Sequence, residues 1–306
     1  MDTVIRIGTR DSQLAVWQAN QVKQLLANNG YQSELVFVKS EGDTDLKTPL
    51  YEIGVQGIFT KVLDIALLEN KVDIAVHSMK DVPTILATGL IQTAVLPRAS
   101  YRDILVPKDG VSFLDDVNSK GVVATSSTRR RAQWLNRYPK YTIENLRGNV
   151  NTRLRKVKEE SWDGAIFAAA GLERINLRPE NAVELDWMLP APAQGAIMVV
   201  CRKEDAHSYD ASHLLNDEQT AICTKVERDF LRALLGGCTT PISALAEIDG
   251  DTIDFKGNIL SLDGKKKAVI NKRINLTNTA DAGKEAAEEL LSIGGQEILD
   301  GIRNAK

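Results

Sequence analysis

Short apolar runs alternate with amphipathic stretches over the first hundred residues. This alternation predicts a first unit of strands and helices. The first amphipathic stretch follows Ser12, which is suited to cap a helix, and Leu14, Trp17, Val22 and Leu25 form its apolar side. The predicted strands are residues 4–8, 35–38, 73–77 and 91–96, and the predicted helices are residues 12–28 and 58–69.

The same alternation starts again near residue 103, which predicts a second α/β unit. Its predicted strands are residues 103–106, 122–124, 141–146 and 163–168, and helices follow at 150–160 and in a short segment ending at Arg174. Alternating strands and helices favour mainly parallel sheets, which bind ligands beyond the carboxyl ends of their strands. Arg10, Asp81, Arg129 and Arg147 all fall at such ends.

The pattern changes after a proline-rich connector, residues 189–195, which is a candidate hinge. A strongly apolar strand at 196–201 and a long helix at 217–235 follow it. Consecutive strands and terminal helices then predict a small α+β domain. The strands are residues 242–248, 253–260 and 267–276, and the helices begin near residue 280.

Composition narrows the class of protein. A chain of 306 residues predicts two or three domains, and 43% hydrophobic with 26% charged residues is ordinary for a globular protein. A pI near 5.8 argues against a nucleic-acid partner. No apolar run approaches the ~20 residues of a membrane helix, and the N-terminal residues lack an apolar signal core, so we expect a cytoplasmic protein without a membrane partner. Three cysteines and three histidines predict no metal centre.

Positive charge is concentrated in residues 125–155. Seven arginines and one lysine stand there against one glutamate, a formal charge of +7 in a chain whose total is −3. Arginine forks suit carboxylate or phosphate, and the Ser126-Ser127 pair can cap a helix whose N-terminus favours anions. A solvated helix face is the alternative interpretation. We favour an anion site, because two separate arginine clusters follow predicted strand ends.

Two further residues are candidates for chemistry. Cys201 and Cys223 lie in apolar contexts typical of a core, whereas Cys238 follows two glycines in a loop, where a reduced thiol can be a nucleophile or attachment point. Asp81 follows a strand end, where a carboxylate beside many arginines could face a developing cation; pairing with Lys80 is the alternative. No nucleotide-binding glycine motif is present.

These stretches together resemble the hydroxymethylbilane synthase (porphobilinogen deaminase) family. The motifs occur in family order and cover nearly the whole chain. They are RIGTR at 6–10 with Ser12, GIFTK at 57–61, AVHSMKDVP at 75–83, TSSTRR at 125–130, LRGNVNTR at 146–153, LPAPAQG at 189–195 and GGC at 236–238.

The resemblance implies two lobes of the type II periplasmic-binding-protein fold, with mainly parallel sheets, and a small α+β C-terminal domain. Domain 1 would comprise residues 1–97 and 196–216, domain 2 residues 98–195, and domain 3 residues 217–306. The strand at 196–201 would then belong to the first sheet, which the linear pattern alone does not predict. The family also implies a monomer.

The implied reaction condenses four porphobilinogen molecules head to tail, releases ammonia at each step and hydrolyses off linear hydroxymethylbilane, a step of tetrapyrrole biosynthesis. The implied cofactor is a dipyrromethane joined to Cys238 by a thioether, and the partners are porphobilinogen and the growing polypyrrole chain. Asp81 matches the catalytic carboxylate, which would assist loss of ammonia and stabilise azafulvene and pyrrolium cations.

The remaining matched positions are anion, cofactor and substrate contacts. The expected cofactor contacts are Cys238, Ser78, Lys80, Asp81, Thr125, Ser126, Ser127, Arg129, Arg130, Arg147 and Gly148. The expected substrate contacts are Arg10, Ser12, Phe59, Arg147, Arg153, Arg174 and Gln194. For Phe59, a core position at the start of a helix is an equal alternative.

The chain departs from the family pattern in the loops. Gln56 stands where lysine is common, Ala193 where glycine is common, and Thr239-Thr240 where Gln-Val is more usual. Two other functions use the same lobe fold without this chemistry: a small-anion binding protein and the effector-binding module of a transcription regulator. The former predicts a signal peptide and no third domain; the latter predicts a helix-turn-helix before the first strand.

Overall fold

The computed structural model describes residues 4–39, 58–235 and 240–304, and side chains from residue 60 onward in the second range. These residues form two compact units. Unit 1 contains the described residues up to 100 together with 195–222, and unit 2 contains 101–194 and the described residues from 223 onward. The third expected domain thus shares a unit with the second, and its separate boundaries remain a prediction.

Unit 1 is built on one mixed sheet with flanking helices. Its strands and helices, in chain order, are β1 (Ile5–Thr9), α1 (Gln13–Asn28), β2 (Ser33–Phe37), α2 (Ile58–Leu68), β3 (Ile74–Ser78) and β4 (Leu90–Val95). Apolar side chains of α1 pack on the sheet, where Ala19, Val22 and Leu26 are fully buried with Ile5 and Ile7. Of the predicted apolar side, Val22 is buried and Trp17 and Leu25 pack against this cluster while partly buried, whereas Ala19 and Leu26 were not predicted.

The sheet of unit 2 contains the next group of strands. The elements are β5 (Asp103–Pro107), β6 (Val122–Ala124), α3 (Thr128–Arg137), β7 (Thr142–Glu144), α4 (Val150–Glu159), β8 (Gly164–Ala168), α5 (Ala169–Glu173) and β9 (Val183–Glu184). Buried apolar side chains lie on both faces of this sheet, including Leu146 and Phe167 in one cluster and Trp134 and Tyr138 in the other. The predicted strand at 141–146 is shorter than expected, because residues 145–146 already belong to the loop before α4.

The chain then adds β10 (Ile197–Arg202), α6 (Ala206–His213) and α7 (Glu218–Ala233), and the unit boundary falls inside α7. Strand β10 lies antiparallel between β3 and β4, so the expectation that it returns to the first sheet is confirmed. The rest of unit 2 is an antiparallel meander with two helices: β11 (Ile242–Asp249), β12 (Thr252–Leu260), β13 (Lys267–Asn275), α8 (Ala282–Leu290) and α9 (Gln296–Asn304).

The two five-stranded sheets have the same plan. Their orders are β2-β1-β3-β10-β4 and β7-β6-β8-β5-β9. In each sheet three neighbouring strands are parallel, and the fourth runs antiparallel between the third and the edge strand. The expected fold class, two α/β lobes with a small α+β C-terminal part, is confirmed. Among the described residues, no helix has the length and apolar character needed to cross a bilayer.

Candidate functional site

The candidate site residues of unit 1 follow two neighbouring strands. Strands β1 and β3 are parallel, so Arg10 after one and Ser78 at the end of the other lie at the same edge of the sheet. Ser12 accepts a hydrogen bond from the Ala15 N–H at 3.4 Å and caps α1, as predicted. Its expected substrate contact stays a prediction.

A tight turn carries the predicted catalytic carboxylate. Residues Met79–Asp81 form one 3₁₀ turn after β3, and the Met79 N–H donates to the Ala196 carbonyl at 3.0 Å. Ser78 is held by the buried Gln18 amide of α1, which donates to its hydroxyl at 2.9 Å. Because Met79 is buried while Lys80 is half-buried and Asp81 exposed, the turn anchors one side chain and presents the next two.

The pKa of His77 reflects its burial and the positive charge at this edge of the sheet. His77 is buried next to the turn, and burial together with the positive charge of Arg10 lowers its pKa to about 4. A histidine in this state is neutral at pH 7, so among the described residues Arg10 and Lys80, and not His77, carry positive charge at this edge. The positive charge expected here is therefore present on residues of the resembled motifs.

In unit 2, the site residues again follow parallel strands. β6 pairs in parallel with β7 and β8, which brings the loops after all three strands to one edge of the sheet. The Thr125 N–H donates to the Glu144 carbonyl at 2.8 Å, and the Ser126 hydroxyl donates to the Leu146 carbonyl at 2.6 Å and also contacts Asn145. These bonds join the Thr125–Ser127 segment to the loop that carries Arg147.

Side-chain caps begin both helices that follow these loops, and the cap at Ser127 was predicted. Ser127 caps α3 by accepting from the Arg130 N–H at 3.4 Å, and Asn149 caps α4 by accepting from the Thr152 N–H at 3.0 Å. Between them, Gly148 has φ +109°, and a Cβ there would lie 2.7 Å from the Thr152 methyl carbon. Only glycine fits this turn without strain, and its carbonyl accepts from Arg153 Nε at 2.7 Å.

Arg129 and Arg130 share a carboxylate, Asp103, that is not among the predicted site residues. Asp103, at the start of β5, is fully buried and lies 2.7 Å from both guanidinium groups. The two arginines hold the pKa of Asp103 well below its usual range despite burial. A charged residue at the start of a buried apolar strand requires a partner of opposite charge. The position of Asp103 in the sequence was therefore a signal that it pairs with a cationic residue.

Gln194 belongs to the same network. It is 1% exposed, and its amide donates to the Tyr101 carbonyl at 2.8 Å and to Asp103 at 3.0 Å, while Arg129 approaches its oxygen at 3.5 Å. Arg130 additionally donates to the Ile166 carbonyl at 3.1 Å. The described contacts of these two predicted site residues are thus with the protein itself, and their ligand contacts stay predictions.

Arg129 differs from Arg130 in one respect relevant to ligands. Its Nη1 donates to the Leu189 carbonyl at 2.8 Å, but its buried Nε has no hydrogen-bond partner among the described residues. An unsatisfied buried donor is costly unless another acceptor reaches it. Together with the capped N-terminus of α3, this donor fits an anionic ligand such as the carboxylates of a dipyrromethane.

The remaining predicted anion contacts are also in unit 2. Arg147 is 5% exposed and Arg153 is half-buried. Arg174 is the residue after α5, the short helix that directly follows strand β8. Burial lowers the pKa of Arg174 to about 10, partly offset by Glu173, so it remains cationic at pH 7. By contrast, Arg131 and Arg155 are exposed, so the solvated-face interpretation holds for these two arginines of the positive stretch.

Some predicted residues are not covered by this geometry. Cys238, Gln56 and Thr239 lie outside the described residues, and the side chain of Phe59 is not described, although its backbone is in α2. Cys201 and Cys223 are both buried, which confirms their interpretation as core residues. Glu227 was not predicted from the sequence. It is a buried carboxylate of α7 that accepts from the Ala193 N–H at 2.6 Å and the Ala246 N–H at 2.8 Å.

Two protein-family models and several curated proteins are similar to this chain over most of its length. Residues 5–210 match the model described as "Porphobilinogen deaminase, dipyromethane cofactor binding domain", and residues 221–292 match "Porphobilinogen deaminase, C-terminal domain". Porphobilinogen deaminase of Syntrophotalea carbinolica is 40% identical over 97% of this chain and 95% of its own length. That of Trichlorobacter lovleyi is 41% identical over 97% of this chain and 96% of its own length.

Solved structures similar to the chain include periplasmic binding domains. The BvgS VFT2 domain of Bordetella pertussis, as a double mutant, has a TM-score of 0.42 at 13% identity, over 69% of this chain and 85% of that one. A probable amino-acid ABC transporter extracellular-binding protein of Bacillus subtilis has a TM-score of 0.43 at 14% identity, over 70% and 90%. Because two family models and nearly full-length relatives agree, the chain belongs to the porphobilinogen deaminase family.

Proposed function

We propose that this protein is a hydroxymethylbilane synthase, a transferase of tetrapyrrole biosynthesis. It condenses four porphobilinogen molecules head to tail, with loss of ammonia at each step, and releases linear hydroxymethylbilane by hydrolysis. The observation that carries the proposal is the match of residues 5–210 to the family's cofactor-binding domain. Relatives about 40% identical over nearly the whole chain support it.

The dipyrromethane, when bound through a thioether to Cys238, supplies the pyrrole end on which the chain is extended. Its acetate and propionate groups are anions. We assign them to Arg129, Arg147 and the hydroxyls of the Thr125–Ser127 segment, with Gly148 allowing close approach. The buried Nε of Arg129 and the capped N-terminus of α3 support this assignment. Arg130 supports this arrangement because it pairs with Asp103, the carboxylate that also pairs with Arg129.

Asp81 is the proposed catalytic carboxylate. It is exposed on a turn whose preceding residues are anchored by Gln18 and by the Ala196 carbonyl, so its backbone is fixed while its side chain can reach a ligand. A fixed carboxylate stabilises a developing positive charge on a pyrrole ring. It can also accept a hydrogen bond from the pyrrole N–H. Lys80 and Ser78 are proposed cofactor contacts on the same turn.

Substrate carboxylates are assigned to a second set of residues. In unit 1 these are Arg10 and Ser12, with Phe59 as an aromatic contact. In unit 2 they are Arg147, Arg153, Arg174 and Gln194. Each added pyrrole brings two carboxylates, so more arginine forks become engaged as the chain grows. By resemblance to the family we also propose that the enzyme is a cytoplasmic monomer, which sedimentation of the purified protein would test.

The proposal is tested by incubating the purified protein with porphobilinogen. We expect ammonia release matched to porphobilinogen consumption, and a linear product that closes on standing to a uroporphyrinogen with loss of water. Oxidation of this uroporphyrinogen by air then gives a coloured uroporphyrin. An intact mass exceeding the sequence mass by one dipyrromethane should accompany this activity. A protein that binds porphobilinogen without releasing ammonia would instead be a small-anion binding protein, and the proposed function would be wrong.

A further inference from the structure

A cavity of about 170 Å³ lies in unit 2, lined by α3, strand β13 and Trp187. Its lining residues are Gln133, Asn136, Arg137, Trp187 and Lys267. None of them belongs to the residues assigned above to cofactor or substrate. Enclosed apolar cavities of about 150 Å³ can hold one benzene ring. Asn136, Arg137 and Lys267 are exposed, so this space is instead a pocket open to solvent, with room for a ligand with a single ring.

The guanidinium of Arg137 is held in place within this lining. Its central carbon lies 5.0 Å from the centre of the Trp187 ring and 5.7 Å from that of Tyr138, and its Nε donates to the Tyr138 hydroxyl at 3.3 Å. No described residue accepts a hydrogen bond from either of its terminal nitrogens. The two donors that suit a carboxylate are therefore oriented and available.

Lys267 is a second positively charged residue in the lining of the cavity. Lys267, exposed at the start of β13, forms no ion pair with any residue in the described ranges. Its neighbours differ, since Lys265 pairs with Asp263 at 3.5 Å and Lys266 with Glu297 at 2.5 Å. The lining thus has two positive charges and no carboxylate to balance them.

The walls are fixed by hydrogen bonds that do not involve a ligand. The Gln133 amide donates to the Leu189 carbonyl at 2.9 Å and to Ser243 at 3.1 Å, and its oxygen accepts from the Leu189 N–H at 2.9 Å. Asn136 donates to the Gly264 carbonyl at 2.7 Å, so the turn between β12 and β13 is held against α3. Binding would therefore order few side chains, which favours affinity.

We propose that this cavity binds a single-ring aromatic carboxylate, separately from the catalytic chemistry. The carboxylate accepts hydrogen bonds from the terminal nitrogens of Arg137 and pairs with Lys267, and the ring lies against the indole of Trp187. Charge selects an anion, and the aromatic wall favours a planar ring over an aliphatic one. The inference does not depend on the proposed function, because it uses none of the catalytic residues.

The test is a titration of the purified full-length protein, labelled with fluorotryptophan, with benzoate, followed by fluorine NMR. The chain has four tryptophans, and Trp187→Phe assigns the signal of Trp187. We expect benzoate to shift this signal saturably, while benzamide, which lacks the charge, and cyclohexanecarboxylate, which lacks the flat ring, leave it in place. Inorganic phosphate shifting the signal as effectively as benzoate would overturn the aromatic assignment.

Matched variants locate the site. Arg137→Gln should weaken benzoate binding at Trp187 by about tenfold or more, and Lys267→Gln should weaken it to a smaller extent. Lys265→Gln, which removes the same charge from the same hairpin, should not change it. Benzoate that shifts other tryptophans but not Trp187, or that binds Arg137→Gln as tightly as the parent protein, would overturn the proposal. The binding readout is independent of turnover, so failure of the proposed function would not affect it.

Discussion

Arg130 donates two N–H groups, Nε and Nη2, to the same carboxylate oxygen of Asp103, at 3.0 and 2.7 Å. The other oxygen of Asp103 lies 2.7 Å from Arg129. All three side chains are buried, so one carboxylate balances two arginines next to the capped start of α3. Removing a buried partner leaves charge uncompensated, which is far costlier than losing an exposed pair.

We therefore predict that Asp103→Asn lowers the free energy of unfolding by about 3–5 kcal/mol, measured by urea unfolding at pH 7. Glu159→Gln is the control, because it breaks the exposed Arg155–Glu159 pair and should cost less than about 1 kcal/mol. The pKa of Asp103 is depressed in the folded state, so its contribution is complete above the unfolded pKa of about 4 and is lost as the pH falls further. Equal stability of both variants would contradict the role assigned to Asp103.

His77 predicts a different acid sensitivity. Its folded pKa is about 4, below the ordinary value of 6.5, so the unfolded chain takes up a proton first as the pH falls. Between pH 7 and pH 5 this should remove about 2 kcal/mol of stability, and His77→Gln should lack that loss. The measurement is urea unfolding of both proteins at the two pH values. An NMR titration that shows His77 protonating near pH 6.5 would contradict the prediction.

Local residue patterns predicted the parts of the site that depend on near neighbours. The cap of α3 at Ser127 and the cap of α1 at Ser12 involve residues three apart, and both are found. The pairing of Asp103 with Arg130 spans 27 residues and depends on how β5 is inserted between β8 and β9. No periodicity specifies such an insertion, so the partner of these arginines could not be predicted.

The placement of β10 shows the same limit. Its apolar run predicted a strand, but its position between β3 and β4, more than a hundred residues earlier in the chain, followed only from the family resemblance. Glu227 was missed for a related reason. A glutamate in a helix usually faces solvent, and only the packing of residue 193 and strand β11 against α7 buries this one.

The proposed staging of the arginines predicts that Arg153→Ala traps partly extended enzyme complexes. Arg153 is half-buried and oriented by the Gly148 carbonyl, so we assign it to carboxylates that arrive as the chain grows. Arg155→Ala is a matched control on the same helix, since Arg155 is exposed and pairs with Glu159. The masses of complexes quenched during turnover should show accumulated intermediates in the first variant only.

Arg147→Ala should also trap intermediates, with a distribution of lengths different from that of Arg153→Ala. Arg147 precedes Gly148 in the loop and is buried, whereas Arg153 follows it on α4. We therefore expect the two arginines to contact different pyrroles. If both variants lost initial binding equally and showed no trapped complexes, the staging would be wrong.

Asp81→Asn should leave folding and cofactor attachment intact while reducing turnover by about 10²–10⁴-fold. The amide keeps the size of the side chain and removes the negative charge that faces the developing cation. Asp210→Asn, an exposed substitution on α6 in the same unit, should retain full activity. Intact mass establishes loading, and product formation establishes rate; near-normal turnover by loaded Asp81→Asn enzyme would remove Asp81 from the mechanism.

The three cysteines provide an internally controlled test of cofactor attachment. Cys201 is fully buried in β10, where burial raises the pKa of its thiol to about 11, and Cys223 is buried in α7. A protonated, enclosed thiol is a poor nucleophile. We therefore predict that only Cys238→Ser lacks the added mass of a dipyrromethane, whereas Cys201→Ser and Cys223→Ser keep it.

The same variants should separate attachment from stability. A ligand that binds only the folded state raises the melting temperature, so Cys238→Ser, which cannot carry the cofactor, should melt earlier than the loaded parent protein. Cys201→Ser and Cys223→Ser should melt earlier for another reason, because a hydroxyl replaces a buried thiol, yet remain loaded and active. Peptide mapping decides the assignment: an adduct on a peptide that contains Cys201 or Cys223 but not Cys238 would show that the cofactor is attached elsewhere.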